Sequence, residues 1–100
     1  MRLEWSALAL EDREGVFDFI EALNPLAAID MDERIAARID HLRQFPQSGR
    51  SGRVEGTFEL VVPRTPYIVA YRMELDVIIV LRVLHGAQLW PDSIDGMPHS

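Results

Sequence analysis

The chain has 100 residues, 48% of them apolar and 26% charged, with a net charge of −6, the balance of a single ordinary globular domain with a modest core. It contains no cysteine, which removes disulfides and thiolate chemistry, and His41, His85 and His99 share no ligand-like spacing, so neither metal nor other cofactor is expected. The negative charge disfavours a general nucleic-acid binder, whose affinity depends on cations that neutralise phosphates.

Residues 2–5 alternate polar and apolar, as a short half-buried strand does. Ser6 suits the cap of a helix, with Glu11, Asp12 and Glu14 near its positive end. Ala9, Val16, Ile20 and Leu23 fall near one face, Arg13 interrupts the stripe, and Gly15 weakens the helix by about 1 kcal/mol relative to Ala. Asn24-Pro25 restarts the helix, since Asn caps well and Pro suits the first position. The second helix carries an apolar stripe of Ala28, Met31, Ile35, Ile39 and Leu42, opposite Asp30, Glu33, Arg34, Arg38 and Arg43. Phe45-Pro46 closes it, and the short link predicts an antiparallel helix hairpin.

Residues 47–53 (Gln-Ser-Gly-Arg-Ser-Gly-Arg) read as a flexible surface loop. Strands are predicted near 54–62, 66–73 and 76–84, with links too short for anything but antiparallel neighbours. Val77-Ile78-Ile79-Val80-Leu81 is apolar on both faces and should be central. The expected fold is α+β: a short N-terminal strand and an antiparallel helix hairpin packed on a mainly antiparallel sheet of about four strands. Residues 1–91 form one domain, followed by a tail at 92–100 that is frayed or ordered by a partner. No apolar run approaches the roughly 20 residues needed to span a bilayer, and Glu4, Glu11 and Asp12 interrupt any leader-like layout. A cytoplasmic protein away from membranes is expected.

Simple alternation puts Val77, Ile79, Leu81, Val83 and His85 on one face of the last strand and Ile78, Val80, Arg82 and Leu84 on the other. Both faces of the sheet are then mostly apolar, and the hairpin can cover only one. The face left open calls for a partner chain. Residues 1–40 hold ten acids against four Arg, whereas residues 41–82 hold six Arg against four acids, and no Lys is present. An Arg-rich half could grip carboxylates or phosphates through bidentate guanidinium forks. His85 beside Arg82 could serve as a general base next to a phosphate clamp. Equally, Arg82 could pair with Glu59 or Asp76 and His85 could simply close the strand. Arg72 could line the same site or snorkel, while Arg50 and Arg53 have no evident packing duty. Trp90-Pro91 reads as a lock for the C-terminal segment, and Tyr67 and Tyr71 as cross-strand packing. No phosphate loop, nucleophile elbow or carboxylate pair at a useful spacing is present.

Several segments resemble the RelE/ParE superfamily of type II toxin–antitoxin toxins, and its ParE-like branch in particular. They are Trp5-Ser6, Asn24-Pro25-Leu26-Ala27-Ala28, Phe45-Pro46, Ser48-Gly49-Arg50, Gly52-Arg53 and Gly56-Thr57. Glu59-Leu60-Val61-Val62 follows, then Thr65-Pro66-Tyr67-Ile68-Val69-Ala70-Tyr71-Arg72, Leu81-Arg82-Val83-Leu84-His85-Gly86-Ala87-Gln88 and Trp90-Pro91. The resemblance spans residues 2–91 and implies a helix hairpin on a mainly antiparallel sheet. It also implies a cognate antitoxin whose C-terminal segment wraps the toxin. The chain departs from the pattern at Phe58, where the family often has Arg. Tyr67 stands where RNA-cleaving relatives have an early Arg in the middle strand.

The implied function is therefore inhibition of DNA gyrase with no catalytic residues, neutralised by a ParD-like antitoxin in a higher-order complex. The toxin alone would bind no nucleic-acid sequence. Two alternatives stay open: a RelE-like ribosome-dependent mRNA endoribonuclease using Arg53, Arg72, Arg82 and His85, and a toxin that has lost toxicity and survives as an autoregulatory subunit. Candidate target contacts are Arg50, Arg53, Arg82, His85 and Trp90. Candidate antitoxin contacts are Ile68, Ala70, Arg72, Arg34 and Arg38.

Overall fold

The computed structural model describes residues 1–87. Strand β1 (Arg2–Trp5) leads into helix α1 (Ala7–Glu21) and helix α2 (Pro25–Asp40), and a short 3-10 turn follows at His41–Arg43. Strands β2 (Arg50–Ser51), β3 (Phe58–Val61), β4 (Tyr67–Glu74) and β5 (Val77–His85) complete the elements among the described residues. They form one five-stranded sheet in the order β1-β5-β4-β3-β2. All neighbours are antiparallel except β1, which runs parallel to β5.

The helix starts form as their residues dictate. Ser6 Oγ accepts from the Ala9 N–H at 3.0 Å and donates to Leu81 O at 2.9 Å, so one hydroxyl caps α1 and ties it to β5. Asn24 Oδ1 accepts from the Ala27 N–H at 3.1 Å, with Pro25 in the first helical turn. Leu23 lies beyond the end of α1 and is exposed, so it leaves the apolar stripe predicted for it. Arg13, which interrupts that stripe in sequence, forms a two-pronged bridge to Asp32 of α2 at 2.7 and 2.9 Å. Its guanidinium also lies over the Trp5 ring, 5.1 Å from the centroid. The core gathers Ala9, Ile35, Ile39 and Leu42 beneath Leu60, Val62, Val69, Tyr71, Ile78, Val80 and Val83.

Four expectations about the sheet change. Residues 54–57 do not extend β3: Thr57 N–H and Oγ1–H both donate to Val54 O, at 3.2 and 2.6 Å, and Gly56 takes φ +81°. That closed turn consumes donors a strand would need. Residues 47–53 are pinned rather than loose, because Arg50 and Ser51 pair with Glu59 and Phe58. Tyr71 does more than pack, since its hydroxyl donates to Pro46 O and accepts from the Gly49 N–H, both at 2.9 Å.

The fourth change concerns β5. Ala70 faces Arg82 but Tyr71 faces Val80, leaving Leu81 as an extra residue in the ladder. Such a bulge reverses the alternation beyond it. Val80 and Val83 therefore share the helix-side core, whereas Leu81 and Leu84 join Ala70 on the opposite face. That second face is not bare. Ala70 is 1% and Ile68 9% exposed, Leu81 and Leu84 are buried, and Val54 packs against this cluster. The expectation of an open apolar face is thus corrected.

Candidate functional site

The basic residues of the sheet are held by acids. β1 ends at Trp5, opposite Val80, so the continuing edge of β5 has no strand neighbour on that side. Asp12 of α1 fills the gap: one carboxylate oxygen accepts from the Val83 N–H at 2.9 Å, and the two oxygens accept from Arg82 Nε and Nη2 at 2.8 and 3.0 Å. The hydrogen bond to Asp12 raises the Arg82 pKa further above its ordinary range, outweighing partial burial. Neither of the sequence candidates for this partnership, Glu59 or Asp76, supplies it. Asp12 lies 70 residues away in sequence, and no local signal marks it.

Glu59 instead anchors the Arg-bearing segment. It is 3% exposed, accepts from the Arg53 N–H at 2.7 Å, and has the Arg50 and Arg53 guanidinium groups 3.6 and 3.4 Å away. Arg72 Nε is 3.1 Å from Glu74 without making a hydrogen bond to it. β2, just before Arg53, and β5, which carries Arg82 and His85, are three inter-strand spacings apart, roughly 14 Å. Arg53, Arg72 and Arg82 each lie beside a different carboxylate, Glu59, Glu74 and Asp12.

His85 pairs in register with Tyr67, the two rings meeting edge-on at 5.7 Å between centroids. Its Nδ1 accepts from the Ala87 N–H at 3.0 Å. Both residues line a cleft of about 350 Å³ between α1 and β5, together with Glu11, Asp12, Gly15 and Phe19. Burial pushes the Tyr67 phenol pKa up, so it is a hydroxyl donor and not a base at neutral pH. The cleft thus offers an imidazole, a phenol and two acids, one of which, Asp12, is engaged by Arg82. Among the described residues, no three His, Asp or Glu side chains converge to hold a metal ion, and no helix is long and apolar enough to cross a membrane.

Of the remaining candidates, Ile68 and Ala70 are buried, while Arg34 and Arg38 stand on α2. Arg34 Nε bonds Asp30 at 2.8 Å, and Arg38 Nε donates to Val61 O at 3.3 Å. Trp90 and the 92–100 tail lie outside the described residues.

Over residues 3–90 the chain matches the sequence profile of the family described as ParE toxin of type II toxin–antitoxin system, parDE. It is 41% identical over 90 residues to the Y4kP protein of Sinorhizobium fredii, an alignment covering 90% of this chain and 93% of that one. It is 32% identical over 85 residues to Toxin RelE2 of Caulobacter vibrioides, covering 85% and 94%. Among solved structures it is similar to a chain of the chromosomal ParDE TA system from P. aeruginosa, with TM-score 0.78 and 27% identity, covering 83% of this chain and 92% of the other. The hairpin and mixed sheet described above are the architecture that these two share.

Proposed function

This chain belongs to the ParE toxin family of type II toxin–antitoxin systems, and from that premise we propose that it inhibits DNA gyrase and is neutralised by a ParD-like antitoxin. The observation that carries this reading is the state of its arginines. Transfer or cleavage at a phosphate needs cationic donors preorganised on one developing charge. Here the Arg82 fork is filled by Asp12, Arg53 sits at Glu59, and Arg72 sits beside Glu74. These groups are arranged to hold the sheet together, which suits a protein that acts by binding. The surface left for a target includes the outward parts of Arg50 and Arg53 and the cleft beside His85.

The test is incubation of antitoxin-free protein with gyrase, supercoiled plasmid and ATP, scoring protein-linked linear DNA. Linear product is expected, and His85→Ala should lower potency a few-fold at most, as the loss of one contact does. Growth arrest without linear DNA, abolished by His85→Ala, would favour RNA cleavage instead, because removing a general acid or base costs about 10²- to 10⁴-fold. Unaffected growth on expression would point to a toxin that has lost toxicity.

A further inference from the structure

A groove of about 330 Å³ lies between α2 and the β3–β4 turn, lined by Arg34, Arg38 and Arg64 and by the apolar surface of Ala37, Val62 and Pro63. Its three guanidinium groups are differently placed from those of the sheet. Arg38 is steadied by the Val61 carbonyl rather than by an acid. Arg34 has only an exposed one-turn pair with Asp30, a type of bridge worth little. Arg64 has no acidic partner among the described residues and sits at φ +61°, in the left-handed region. A glycine would occupy that turn without steric cost, whereas Arg strains it. Leu75 also takes a positive φ, but of the two only Arg64 lines the groove, so there the strain coincides with a place where its side chain can be used.

We infer that this groove seats an acidic segment of the antitoxin polypeptide, with carboxylates on Arg34, Arg38 and Arg64 and an aliphatic side chain against Ala37, Val62 and Pro63. The inference rests on reading the chain as a toxin held by an antitoxin, and it adds the chemistry of the held segment. Guanidinium forks match carboxylates bidentately, and the apolar lining selects a peptide over a bare anion. A nucleic acid fits poorly: the chain carries −6 overall, and α2 itself bears Asp30, Glu33 and Asp40. A long polyanion meets those charges, while a short peptide reaches the arginines between them.

The experiment titrates antitoxin-free protein with a blocked Glu-Leu-Glu-Glu-Leu-Glu peptide and, separately, with hexathymidylate, following the arginine Nε–Hε resonances by NMR. The peptide should shift Arg34, Arg38 and Arg64, and the oligonucleotide should not at equal concentration. Arg64→Gly should weaken the peptide roughly three- to ten-fold, as loss of one charge-assisted contact does, without lowering the thermal midpoint, because glycine relieves the turn. Leu75→Gly, at the other strained turn (φ +54°), should leave peptide affinity unchanged. Absence of peptide shifts, tighter binding of the oligonucleotide, or equal peptide affinity in Arg64→Gly would each overturn the proposal. The gyrase assay involves no peptide, so the groove and the toxin reading can fail separately.

Discussion

At the scale of single residues, Tyr71 and Gly49 set how firmly the Arg-bearing segment is held. The Tyr71 hydroxyl bridges Pro46 O and the Gly49 N–H, and Gly49 allows that approach because it has no Cβ. A methyl group there would lie 2.6 Å from the Tyr71 hydroxyl and 2.9 Å from Glu59 O. Removing the hydroxyl in Tyr71→Phe should cost about 1–3 kcal/mol in urea unfolding, the usual penalty for leaving partly buried partners unpaired. Gly49→Ala should cost a similar amount through crowding. The aromatic ring of Tyr71 was legible in the sequence as a packing residue. Its hydroxyl bonds were not, because Gly49 and Pro46 are 22 and 25 residues away and nothing local announces them. Arg50 and Arg53 were misread as loose for the same reason, since their carboxylate belongs to a neighbouring strand.

At the scale of elements, the hairpin is braced by Arg13 and Asp32. The hydrogen bonds from Arg13 hold the Asp32 carboxyl below its ordinary pKa of 3.8, outweighing the opposing effect of partial burial. The folded carboxyl therefore titrates below the unfolded one. The brace stabilises above 3.8 and its contribution is lost as pH falls through the lowered value. Asp32→Asn should be less stable than the parent at pH 7 by roughly 0.5–1 kcal/mol, a modest figure because both side chains are partly exposed. The difference should shrink in denaturation curves taken progressively below pH 3.8. Both helices were legible from caps and periodicity, since Ser6 and Asn24 act where they stand. The faces of β5 were legible only up to Val80, because a bulge is a property of the pairing. Leu81 carries no mark of being the extra residue, and alternation counted past it assigns Val83 and Leu84 to the wrong sides.

At the scale of the molecule, Asp12 joins the first helix to the last strand, supplying both an arginine partner and the hydrogen bond an absent strand would otherwise provide. Asp12→Ala should lower global stability by about 1–3 kcal/mol, with an unchanged urea m-value, because a latch is lost and not a folding unit. The α+β class and the hairpin-on-sheet arrangement follow from the pattern of elements, whereas the parallel pairing of β1 with β5 does not. That pairing has a temporal consequence. Arg2 through Trp5 are synthesised more than 70 residues ahead of their strand partner, Val77 to Val80. Contacts so distant in sequence form late. A nascent chain cannot complete this sheet until β5 has been made, so fragments that stop short of β5 lack the finished fold.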